Sequence, residues 1–119
     1  MKKLTCMDLF SGAGGLSRGF MDAGFDVVLG VDFDDAALQT FQANHGHAVA
    51  MKLDLFDLNN VQQIVDFFAD RNLTLDVLVG GPPCQGFSLA GKRDENDKRN
   101  VLLFAKIKER LFCKLARFI

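Results

Sequence analysis

Short apolar runs alternate along the chain with stretches whose apolar residues recur every three or four positions. Leu4 to Phe10 is an apolar run of strand length, followed at once by Gly12, Gly14 and Gly15, which mark a tight turn. Leu16 and Phe20, one helical turn apart and closed by Gly24, predict a short helix, and Val27 to Val31 predicts a second buried strand that ends at Asp32. Asp35 to Asn44 sets Ala37, Leu38 and Phe41 on one helical face, with Asp34 or Asp35 as its cap. Ala48 to Leu53 is a weaker third strand. Val61, Ile64, Val65 and Phe68 follow a helical period, and Leu75 to Val79 is a fourth apolar run that leads into Gly80-Gly81-Pro82-Pro83. The polar stretch Gly91 to Asn100, GKRDENDKRN, predicts an exposed loop; the chain is apolar again from Val101, and Lys114 to Ile119 is a candidate strand.

Four strands alternating with three helices predict an α/β fold, a doubly wound, mainly parallel sheet covered on both faces, because parallel neighbours need crossover connections. The length of 119 residues, 49% of them hydrophobic, suits one domain with one core. Fourteen basic against fifteen acidic residues leave a net charge of −1, so any contact with nucleic acid must be local. Cys6, Cys84 and Cys113 are odd in number and irregularly spaced, which argues against a disulfide framework and for a reducing, cytoplasmic compartment. The opening MKKLTCMDLF is interrupted by Asp8 too soon for a signal peptide, and no run approaches membrane-spanning length.

In an open parallel sheet a ligand sits at the carboxyl ends of the strands, where a glycine turn lets backbone approach it closely. Gly12 to Gly15 holds that place. Asp32, twenty residues after Gly12, is where a carboxylate would accept ribose hydroxyls, and Asp54 at the next strand end could accept from an adenine amino group between the apolar Phe33 and Leu55. The plain alternative is a simple turn with capping or solvated aspartates. A dinucleotide site is the sharper rival, but Ser17 stands where its third glycine belongs.

The sequence GGPPCQGFS puts Cys84 just past the fourth strand. Two prolines restrict the backbone ahead of the thiol, and flanking Gln85, Gly86 and Ser88 argue against burial. A free thiol ionises near about 8.5 and needs a positive neighbour to act as thiolate; Lys92, Arg93 or Arg99 would serve. Cys6 and Cys113 read as buried small apolar residues. His45 and His47, lacking partners at ligand spacing, read as solvated loop residues rather than a metal site.

DLFSGAGG at 8–15, VDFD at 31–34, GGPPCQGFS at 80–88 and DKRNVLLF at 97–104 together resemble the DNA cytosine-5 methyltransferases, the enzymes of cytosine methylation in restriction-modification systems. The resemblance implies a Rossmann-like methyltransferase fold and S-adenosyl-L-methionine as cofactor. It places Phe10, Gly12, Gly14 and Gly15 around the methionine part, Asp32 on the ribose, Phe33, Asp54 and Leu55 at the adenine, and Pro82 and Leu102 near the sulfonium. Cys84 becomes the catalytic nucleophile, and Gln85, Ser88, Lys92 and Arg99 become contacts to DNA or to a flipped base.

The resemblance runs from Leu4 to Ile107 and corresponds to the first part of a typical member, so the expected domain is partial, ends after four or five strands, and lacks a target-recognition domain. The family's glutamate that holds the cytosine ring is expected just beyond Ile119, and Glu109 does not stand in for it. Two readings follow: a methyltransferase inactive without the missing portion, or a non-catalytic cofactor-binding or assembly remnant. A dinucleotide-dependent oxidoreductase gives no reason for Pro82-Pro83-Cys84-Gln85. The fourth strand is expected to leave an unpaired edge, with Leu103, Phe104, Phe112 and Phe118 short of partners, which favours a homodimer or a complementing chain. The expected substrate partner is DNA; no membrane and no metal are implied.

Overall fold

A computed structural model describes residues 2–80, 90–112 and 115–118, with side chains for 2–80 and 98–112. Five strands, β1 (Thr5–Leu9), β2 (Asp26–Asp32), β3 (Val49–Lys52), β4 (Val77–Gly80) and β5 (Leu115–Phe118), form one parallel sheet in the order β3-β2-β1-β4-β5. The helices α1 (Gly15–Asp22), α2 (Asp35–Asn44), α3 (Val61–Asp70) and α4 (Ala90–Leu111) connect them, with a short 3-10 turn at Leu58–Asn60 before α3. Successive right-handed crossovers from β1 to β3 put α1 and α2 on one face, and the return to β4 puts α3 and α4 on the other.

The two faces have separate cores. Met7, Leu9, Leu29, Val31 and Leu78 pack with Ile64, Phe67 and Phe68 of α3 and Leu103, Phe104 and Ile107 of α4. Cys6, Val27, Val77 and Val79 pack with Phe41 of α2 on the opposite face. Gly30 lies under Phe41, where an added Cβ would meet the ring at 2.4 Å. Every residue of β1 is buried, as two-sided coverage requires.

Helix ends follow local chemistry. The Asp34 carboxylate accepts the Ala36 and Ala37 N–H groups at the start of α2. At the end of α1, Gly24 takes φ 97°. Gly24 N–H donates to Met21 and Phe25 N–H to Phe20, while the Phe20 and Phe25 rings meet edge-on at 5.2 Å; this is a glycine-terminated helix with its apolar clasp.

Three expectations are corrected. The stretch 91–100 is helical, lying within α4. Lys92, Arg93, Glu95, Lys98 and Arg99 are good helix formers, and the helix is locked further on by Asn100, Leu103, Phe104 and Ile107, a buried stripe at helical spacing. The far edge of β4 is paired rather than open: β5 covers it from Val77 to Gly80. Leu103 and Phe104 are buried in the core shared with α3, whereas Phe112 is 85% exposed; the Phe118 side chain lies outside the described residues. The third correction is His45, which is 1% exposed rather than solvated. Its ring stacks on Phe41 at 4.3 Å, and its Nδ1 is 2.8 Å from the Phe41 carbonyl.

Candidate functional site

The strand order reverses direction at β1: β2 and β3 follow on one side, β4 and β5 on the other. Such a switch point opens a crevice at the carboxyl ends of the two central strands. Leu9 and Gly80 are paired across it. The glycine turn therefore leaves β1 beside the point where 81–89 leave β4. Cys84, Pro82, Gln85 and Ser88 lie outside the described residues. Cys84 is only four residues past Gly80, a reach of at most about 14 Å of extended chain.

The turn is built from backbone that few side chains tolerate. Phe10 and Gly12 take φ 55° and Gly14 φ 98°. Gly14 caps α1 without a side-chain hydrogen bond, and a Cβ there would lie 2.4 Å from His45 Cε1. The turn is tied to the second strand by Asp32, whose Oδ2 accepts the Gly12 N–H at 2.7 Å. Its Oδ1 accepts the Phe33 and Asp34 N–H groups at 2.6 and 3.2 Å. A carboxylate offers about four acceptor positions, so three N–H donors leave room for a hydroxyl.

Beside this carboxylate the surface is aromatic. Phe33 is 63% exposed. Phe10 and Phe56 meet with centroids 5.6 Å apart, and the Arg99 guanidinium lies 5.8 Å from the Phe56 centroid. Asp54 is exposed and its Oδ1 accepts the Phe56 N–H at 3.0 Å. Leu55 points away from this surface into the core, at 4% exposure. Leu102, on α4, is 57% exposed. Lys92 belongs to α4, but its side chain lies outside the described residues.

One buried group beneath the turn, Asp8, was given no role from the sequence. Asp8, in the middle of β1, is 1% exposed. The Ser17 hydroxyl of α1 donates to its Oδ2 at 2.6 Å, and Oδ1 has no partner among the described residues. Burial pushes the carboxyl up to about 6; the Ser17 hydroxyl opposes this, the Asp32 charge adds to it, and the Ser17 backbone N–H opposes it. An acid inside an otherwise apolar strand was the available signal. Burial, and then the Asp8 charge, push the Cys6 thiol up to about 12, so Cys6 is inert as a nucleophile.

The model of the family described as C-5 cytosine-specific DNA methylase matches residues 4–112. The chain belongs to that family. The Type II methyltransferase M.HgiDI of Herpetosiphon aurantiacus is 43% identical over 106 residues, covering 87% of this chain and 32% of that protein. M.HgiGI of the same organism is 42% identical over 106 residues, 87% of this chain and 79% of that protein. The chain thus spans about a third of the first relative and about four fifths of the second. A prophage-encoded E. coli protein described as a DNA modification methyltransferase superposes with a TM-score of 0.78 at 34% identity, covering 98% of this chain and 32% of that one. The doubly wound fold and the methyltransferase ancestry expected from the motifs hold.

Proposed function

We propose that this chain carries the S-adenosyl-L-methionine site and the nucleophile of a DNA cytosine-5 methyltransferase. The observation that carries the reading is the switch point, where the Asp32-anchored glycine turn and the start of the Cys84 segment meet at Leu9 and Gly80. Gly12, Gly14 and Gly15 let backbone close around the amino-acid end of the cofactor. Asp32 accepts a ribose hydroxyl with its remaining lone pair, and Phe33 and Asp54 flank the adenine. The core position of Leu55 limits its part to supporting that wall from below. Phe10 joins the glycines at the methionine part, and the family resemblance assigns Pro82 and Leu102 to the sulfonium. The cofactor supplies an electrophilic methyl group.

Cytosine carbon 5 is a poor nucleophile in the intact ring. The Cys84 thiolate forms a bond to carbon 6, and the ring π electrons move so that carbon 5 becomes enamine-like. Carbon 5 would then take the methyl group, whose bond to the sulfonium sulfur breaks with the electron pair left on sulfur, giving a neutral thioether as the leaving group. A base removes the proton at carbon 5, the ring double bond reforms, and the Cys84–carbon 6 bond breaks with return of the thiolate. Neither carbon is reachable in stacked duplex, so the base is extruded, with Gln85, Ser88, Lys92 and Arg99 contacting the DNA.

The test is covalent trapping on a pool of duplexes containing 5-fluorocytosine, in which fluorine replaces the proton at carbon 5 and cannot be removed by a base, so the thiolate is not expelled. With S-adenosyl-L-methionine and a second chain supplying the family's remaining portion present, the wild-type chain is expected to form an adduct stable to denaturation, and Cys84→Ser is expected to form none. Cofactor binding without any adduct would overturn the catalytic part of the reading and leave a cofactor-binding module.

A further inference from the structure

Phe33 is an apolar ring standing largely in solvent directly after Asp32. Asp32 fixes the Phe33 backbone by accepting its N–H, but that bond leaves the ring free to turn. The side chain that meets the ring comes from the neighbouring strand. Lys52 ends β3 and is aligned with Asp32 in the β2–β3 ladder. Its ammonium lies 5.1 Å from the Phe33 centroid and 2.9 Å from Asp35 Oδ2 at the start of α2. Three elements thus form a clasp: the Asp35 carboxylate holds the ammonium, and the ammonium sits on the electron-rich face of the ring.

Lys52 and Asp35 are both well exposed, at 46% and 71% of their side chains, and such a pair adds little to fold stability. Its consequence is local. A ring with an ammonium over one face offers a flat ligand the other face, in one orientation.

We infer that Lys52 is a positioning residue for cofactor binding, holding the Phe33 ring so that one face is set for the adenine. This rests on the proposed reading in which Phe33 flanks that base. Lys52 acts through the ring and not by direct attraction, since S-adenosyl-L-methionine carries a sulfonium cation that a nearby ammonium repels.

Isothermal titration of the full chain with S-adenosyl-L-methionine and with S-adenosylhomocysteine, which lacks the sulfonium charge, tests this in wild type, Lys52→Met, Lys52→Arg, Phe33→Ala and the Lys52→Met/Phe33→Ala double variant. Lys52→Met is expected to weaken both ligands equally, by about two- to fivefold, the range of an exposed cation–π contact. Lys52→Arg retains affinity, because a guanidinium also stacks on an aromatic face. Lys52→Met adds nothing once Phe33 is alanine, and its melting temperature matches wild type.

Lys52→Met binding like wild type, while Phe33→Ala binds weakly, overturns the inference and leaves the role of Phe33 standing. So does an equal loss from Lys52→Met in the Phe33→Ala background. A gain for the sulfonium ligand alone would show a charge effect and overturn it too. Phe33→Ala binding like wild type, or a wild-type chain that takes up neither ligand, refutes the underlying reading of the site and the inference with it.

Discussion

Replacing Asp8 by asparagine changes one buried atom and removes a charge, and its effect should depend on pH in a direction set by burial. In the folded chain the carboxyl titrates at about 6 against its ordinary 3.8. Between those values the folded state holds a proton that the unfolded state has lost, so this group's contribution to stability falls as pH rises. The separation corresponds to roughly 3 kcal/mol at about 1.36 kcal/mol per pH unit. Below pH 3.8 the contribution is constant; above pH 6 the cost of the buried charge is fully present. Asparagine can still accept the Ser17 hydroxyl, and whatever its amide costs at the position of the orphan Oδ1 does not vary with pH. Urea denaturation of wild type and Asp8→Asn across pH 3.5 to 7.5 therefore isolates the effect, because other carboxylates cancel in the difference. The variant should gain on wild type by about 3 kcal/mol over that span. Parallel curves, or a variant that loses ground as pH rises, would refute the argument; the latter would mean that the Ser17 donors outweigh desolvation.

Other substitutions test the packing around the turn. Ser17→Ala removes the hydroxyl donor to Asp8, so stability should drop by about 1–3 kcal/mol, more at pH 7.5 than at pH 4, in the same denaturation assay. Gly14→Ala puts a Cβ 2.4 Å from His45 Cε1 at φ 98°; the crowding and the backbone strain should cost a few kcal/mol, read as a fall in melting temperature of several degrees. Gly19→Ala is the matched control within α1: nothing lies within 4 Å of its added Cβ, and it should stabilise the helix by about 0.5–1 kcal/mol.

The strands were legible in the sequence because buried parallel strands are short apolar runs closed by turn residues. Val27 to Val31 and Leu75 to Val79 show this, as do the Asp34 cap and the Gly24 stop. The helix through 91–100 was not, because a polar stretch has no apolar period; its anchor, from Asn100 to Ile107, lies downstream and is buried against α3. His45 misled for a related reason. Set among Asn44, Gly46 and His47 it resembles loop, and only the stacking on Phe41 and the close approach to Gly14 bury it. Asp32 and the glycine turn were legible as a pair through their spacing, and the Gly12 N–H bond joins them. Lys52 could be set beside Phe33 only by the β2–β3 register, which no local pattern encodes.

The central claim, that the glycine turn anchored by Asp32 holds S-adenosyl-L-methionine, is tested most directly by calorimetric titration of the chain with that cofactor beside an Asp32→Ala variant. The account predicts saturable one-to-one binding by wild type and its loss in the variant, which has neither the ribose acceptor nor the bond to Gly12. No binding by wild type, or equal binding by both, would contradict it.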